Sequence, residues 1–127
     1  MEQLIYNLFA LYGTFKNLHY QAKGLSFYSV HTMADEMNSV LDYVDEIQEK
    51  YYLARGEEAA NLADVMMYAS NRVANGDVET CLRGALVLID TAMALMGDLQ
   101  NDLVADVFSR LTNDLVKDKA FILRTLM

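Results

Sequence analysis

The chain has no proline and no tryptophan, and almost no cysteine. Proline is the residue that removes an amide donor and breaks a helix interior, so nothing here forbids long helices. Cys81 is the single thiol. It permits no intrachain disulfide and no thiolate zinc site, and a reducing, cytoplasmic setting is the simplest expectation. In an apolar helix it reads as a small buried hydrophobe. Basic residues are scarce too: ten Lys and Arg stand against eighteen Asp and Glu, a formal charge of −8 with a pI near 4.5. That leaves no broad phosphate-binding face, so strong direct DNA binding is not expected. An acidic chain attracts cations, although the simpler reading of such charge is solubility. Met1-Glu2-Gln3-Leu4-Ile5 lacks the basic start of a signal peptide. Charges interrupt every apolar run before about 18 residues, so no membrane span is expected.

Apolar residues, by contrast, are plentiful. They make up 54% of 127 residues, enough for one domain, 1–127, with a sizeable core. Leu4, Ile5, Leu8, Leu11, Tyr12, Phe15, Leu18 and His19 recur at three- and four-residue steps, which predicts a helix over 2–22. Lys23-Gly24 ends it. After a short link through Phe27, a second helix is predicted from 28 or 29 to 54, carrying Met33, Val40, Leu41, Val44 and Ile47 among many acids. Arg55-Gly56 closes that helix. The stretch 62–68 suits a short helix inside a longer connection, and Asn75-Gly76-Asp77 marks a turn with Asp77 as the N-cap of a third long helix to about 98. The last helix carries Leu103, Val107, Phe108, Leu111, Leu115, Phe121, Ile122, Leu123 and Leu126. The fold class that follows is all-α: an antiparallel four-helix bundle with a short helix in the crossover between helices two and three.

Only two histidines occur. His19 lies on the apolar stripe of helix one, where a lone histidine is more often a hydrogen-bonded core residue than a ligand. His31 opens helix two, and Asp35 follows one turn later on the same face, so the two can reach one cation. At about 100° per residue, His31, Asp35, Asn38, Asp42, Asp45 and Glu49 fall within about 40° of a common line. By itself that line reads as a solvated face. If a second subunit covers it, mixed imidazole and carboxylate donors suit iron or another divalent transition metal better than calcium, which prefers oxygen alone.

The run Leu18-His19-Tyr20-Gln21-Ala22-Lys23-Gly24-Leu25-Ser26-Phe27-Tyr28-Ser29-Val30-His31, followed by Asp35-Glu36, resembles the Leu-His-Trp-x-x-Lys-Gly-x-x-Phe-x-x-Leu-His-x-x-x-Asp-Glu signature of the Dps miniferritins. Asp45-Glu46-Ile47-Gln48-Glu49 is similar to the family's Asp-Glu-Ile-x-Glu, and the segment Asp118 to Leu126 is similar to its closing Glu-Lys-x-x-Trp-Met-Leu-Arg-x-x-Leu. The resemblance implies a ferritin-like subunit of a twelve-subunit hollow homo-oligomer built from two-fold dimers. It implies oxidation of ferrous iron by peroxide or dioxygen, with storage of ferric mineral. It also implies a ferroxidase centre in which His19, His31 and Asp35 come from one chain and Asp45 and Glu49 from the other. Asp42 is a substitute ligand.

The chain departs from the family in three places. The stretch from His31 to Asp45 is one residue shorter than the family spacing, and one residue turns a helix by about 100°. Strict alignment would then offer Glu46 and Lys50 in place of Asp45 and Glu49, and a lysine would spoil the site. No lysine-rich tail precedes helix one. Tyr20 and Phe121 stand for tryptophans, with aromatic packing the simpler role for Tyr20. Asp98, Asp102 and Asp106, four apart near the last helix, correspond to acids that line iron-entry pores in the family, although acids there also simply complement a helix dipole. The rival reading is a non-catalytic ferritin-like assembly or a DNA-associated structural protein with a degenerate metal site.

Overall fold

The computed structural model describes residues 1–127, with every side chain except that of Asn38. Asn38, one member of the polar line on helix two, therefore lies outside the described side chains. Helix α1 spans Glu2–Gln21, α2 Phe27–Glu36, α3 Val40–Ile47, α4 Leu62–Ser70, α5 Val78–Asp98 and α6 Ala105–Leu126, and no strand occurs among the described residues. The cap anticipated at Asp77 is in place, and Asn61 supplies a second. Asp77 accepts from the Thr80 amide at 2.8 Å, and its carboxyl is held below the usual range by its hydrogen bonds from Thr80. Asn61 accepts from the Ala63 amide at 2.9 Å at the start of α4.

The bundle consists of two antiparallel pairs. In the first, α1 packs on α5. Asn7 Nδ2 donates to the Leu88 carbonyl at 2.7 Å, while Thr14 and Asn17, further along α1, bond Ala74, just before α5 begins. Opposite sequence order at the contacts means opposite direction. In the second pair, α3 packs on α6: Tyr43 donates to the Asp114 carboxylate, and Arg110 meets Glu46. The crossover carries α4 along the flank of α1. The apolar stripes fill the space between these elements. Leu4, Ile5, Leu8, Leu11, Phe15 and Leu18 of α1 are fully buried, as are Ile89 and Ala92 of α5 and Val107 and Phe108 of α6. Cys81 is buried as expected.

Helix α5 is long and apolar enough to meet the length and composition test for a membrane span. Its buried Leu82, Ala85, Ile89 and Met96 and its packing against α1 and α6 are those of a bundle's core helix. Gly13 and Gly84 lie inside helices. A Cβ on Gly84 would come within 2.3 Å of the Ala74 Cβ, and one on Gly13 within 2.9 Å of Val73, so the missing side chains let the crossover lie against α1 and α5.

The second helix, expected to be uniform over 28–54, is a rod of differently wound pieces. A 3₁₀ turn, Met37–Ser39, joins α2 to α3. A π-helical turn, Gln48–Tyr52, and a 3₁₀ turn, Leu53–Arg55, complete the rod. Gly56 ends it in the left-handed conformation, φ 73°, where a Cβ is strained. Such changes of winding are invisible to an apolar pattern read at a fixed 100° per residue.

Candidate metal centre

The five-residue link 22–26 folds the start of α2 back onto the end of α1, so His19 and His31 meet. Their ring centroids are 3.8 Å apart with planes inclined 31°. His19 Nδ1 lies 3.4 Å from the His31 carbonyl oxygen, a long contact that becomes a hydrogen bond when the proton is on Nδ1. Phe27, one turn before His31, also stacks on its ring at 5.0 Å and 30°. Tyr20 meets His19 edge-on at 5.8 Å and 75°, but is 69% exposed, so its packing is with the imidazole and not with the core. His31 Nδ1 is buried and has no hydrogen-bond partner among the described residues. Buried polar atoms nearly always find one, because an unmade bond costs about 1–3 kcal/mol, so the orphan marks a place where a donor or a cation is missing.

Asp35 follows His31 by one turn and is exposed. Asp42, Asp45 and Glu49 are exposed further along the rod. Fourteen residues separate His31 from Asp45, about 21 Å of helix rise. One chain therefore cannot bring its own Asp45 and Glu49 to the histidines. Accordingly, no three His, Cys, Asp or Glu side chains gather closely enough for one ion among the described residues.

The 3₁₀ turn lies inside the stretch that is one residue short. Each 3₁₀ residue turns the chain by about 120° rather than 100°, so Met37–Ser39 adds about 60° and makes up much of the missing rotation. Asp45 stays close to the His31 line under this winding, whereas Asp42 is carried away from it. Asp45 opens onto a cavity of about 430 Å³ between α1, α3 and the crossover, beside Phe9, Gln48 and Leu62. Glu46 faces elsewhere. It holds Arg110 through two bonds of 2.9 and 3.0 Å and lies 3.8 Å from Lys50. Those hydrogen bonds from Arg110 lower the Glu46 carboxyl below its ordinary range.

The three suggested pore acids do not share one helix. Asp98 ends α5, Asp102 lies in the connecting turn, and only Asp106 belongs to α6, where it pairs with Arg110 at 3.1 Å. The chain reverses between them, so the four-residue spacing does not put them on one helical face.

A second acidic group escaped the sequence reading. Glu36, Asp114 and Asp118 line a cavity of about 300 Å³ between the rod and α6, with Met33, Met37 and Phe121. Burial, reinforced by the Asp114 and Glu36 carboxylates, pushes Asp118 up to about 7, against a smaller opposing pull from Lys117. Asp114 and Asp118 are one turn apart on α6, which was a readable signal. That Glu36 joins them across the seam was not readable.

No model of a known protein family matches the chain. General stress protein 20U of Bacillus subtilis (strain 168) is 25% identical over 119 residues, covering 91% of this chain and 81% of that protein. The X-ray structure of Dps from Thermosynechococcus elongatus superposes with a TM-score of 0.76 at 20% identity, over 99% of this chain and 87% of that one. The chain has the ferritin-like fold of Dps.

Proposed function

We propose that this protein is a Dps-like miniferritin. It takes up ferrous iron at a centre shared by two copies of the chain, oxidises it with peroxide or dioxygen, and stores the ferric product inside a hollow homo-oligomer, a dodecamer by resemblance. Iron is the substrate. His19, His31 and Asp35 of one copy and Asp45 and Glu49 of another form the donor set, and the mixture of imidazole and carboxylate suits iron. Each ferrous ion yields one electron, and two of them reduce one peroxide, with two protons, to two waters.

The single observation that carries this reading is the paired, half-buried imidazoles with an orphaned nitrogen on His31. They sit about 21 Å from the carboxylates that would complete the set, a separation that only a second, antiparallel copy removes. A centre divided in this way binds metal only in the assembled state, so metal stabilises the assembly by mass action.

The test is an anaerobic ferrous titration followed by peroxide, with particle size measured on the same sample. Saturable binding and rapid oxidation by a shell-sized particle support the reading. His31→Ala should abolish rapid oxidation while leaving the helical content intact; unchanged oxidation in that variant removes the assignment. The rival reading, a ferritin-like assembly without iron chemistry, takes its support from the shortened rod, and a shell with no iron uptake would select it. A salt-sensitive gel shift with duplex DNA tests the third reading, against which the charge of −8 argues.

A further inference from the structure

The His31 ring packs against both Phe27 and His19, with centroids 5.0 and 3.8 Å apart and planes inclined by 30° and 31°. The lone pair of an imidazole nitrogen lies in the plane of its ring, and a bound transition metal sits in that plane about 2.0–2.1 Å from the nitrogen. Two rings lying face to face at 3.8 Å aim their lone pairs along nearly parallel planes. A common ion needs those planes to open well beyond 31°. The pair is therefore a closed arrangement, and Phe27, stacked on His31, supports it. Phe27 is 46% exposed, so the bundle core does not hold its ring in place. Its position four residues before His31 puts it on the same face of α2.

We infer that Phe27 acts as a brake on metal entry: stacking on His31 holds the imidazole pair closed, and a divalent cation binds only after the His31 ring swings out of the stack. This inference rests on the iron-binding reading above. A closed state that must open lowers apparent affinity by the fraction of molecules open. Removing one aromatic partner should raise that fraction roughly two- to tenfold.

The experiment titrates the assembled protein with cobalt(II), which reports binding by absorbance without oxidation, in the wild type and in Phe27→Leu, Phe27→Trp and His31→Ala. In parallel, the His31 ring protons are followed by NMR with and without zinc(II). In the metal-free wild type the ring protons should lie upfield, shielded by the stack, and zinc(II) should release them. Phe27→Leu should release them without metal and bind cobalt(II) roughly two- to tenfold more tightly. Phe27→Trp, which restores a ring face, should return both readouts to wild type. Equal or weaker binding by Phe27→Leu, or His31 protons that remain shielded when zinc(II) is bound, overturns the brake. Binding that depends on His31 but not on Phe27 removes the brake and keeps the iron reading. Absence of His31-dependent binding in every form removes both.

Discussion

The two antiparallel pairs of this bundle are built on different terms. Between α1 and α5 the helices are regular, the facing side chains are apolar and fully buried, and the polar groups there, Asn7 and Thr14, are hydrogen-bonded. Between the rod and α6 the helix changes its winding along its length, and the seam is held by Tyr43 on Asp114 and by Glu46 on Arg110. A cavity lined by three carboxylates opens at one end of that seam. The first pair supplies cohesion, because apolar area removed from water is the largest favourable term in folding. The second pair keeps charges at a half-wet boundary, where each contact is weaker and answers to pH. The histidine pair sits where the two halves join, one ring on the last turn of α1 and one on the rod.

The contrast predicts an ordered series of effects. The largest belongs to the cohesive pair. Phe15→Ala empties a fully buried site and should cost about 3–5 kcal/mol in denaturant unfolding; a cost under about 1 kcal/mol would mean that α1 is not the core it looks like. Gly84→Ala comes next. The new methyl would press on Ala74 Cβ at 2.3 Å, and relief of that clash should outweigh the gain of about 1 kcal/mol in helix propensity. A net loss of about 1–2 kcal/mol is expected by thermal melting.

Effects on the polar seam should be smaller. Tyr43→Phe deletes the hydroxyl that donates to Asp114, and burial followed by that hydrogen bond pushes the phenol up to about 12. Its loss should cost about 1 kcal/mol, read at pH 7 against the same mutation at Tyr28, which is exposed and should change nothing measurable.

Asp118→Asn should matter mainly through pH. Its folded-state pKa of about 7 lies above the ordinary carboxyl value, so the folded state holds the proton more tightly than the unfolded chain. The stability this gives is fully present below about pH 4 and is lost as pH rises through about 7. Asparagine should flatten that slope and leave the variant more stable at pH 8 by on the order of 1 kcal/mol, since solvent in the pocket screens the larger nominal shift. An unchanged slope would place Asp118 in water rather than in a carboxylate cluster.

Much of this architecture was legible before any coordinates. The stripe from Leu4 to Leu18, the caps at Asp77 and Gly56 and the short crossover helix all follow from residues close together in the chain, and the resemblance implied that His19 and His31 belong together. A 3.6-residue period decides which side of a helix is buried, and a five-residue link leaves two helix ends no choice but to be neighbours. Local chemistry is enough for such features, because their energies are set by nearest turns and by the solvent. Tertiary contact decided the rest. The choice of Arg110 by Glu46 and the raised carboxyl of Asp118, with Glu36 facing it across the seam, depend on partners tens of residues away. Side chains 64 positions apart in sequence, as Glu46 and Arg110 are, set each other's charge and direction only once packing has removed the water between them.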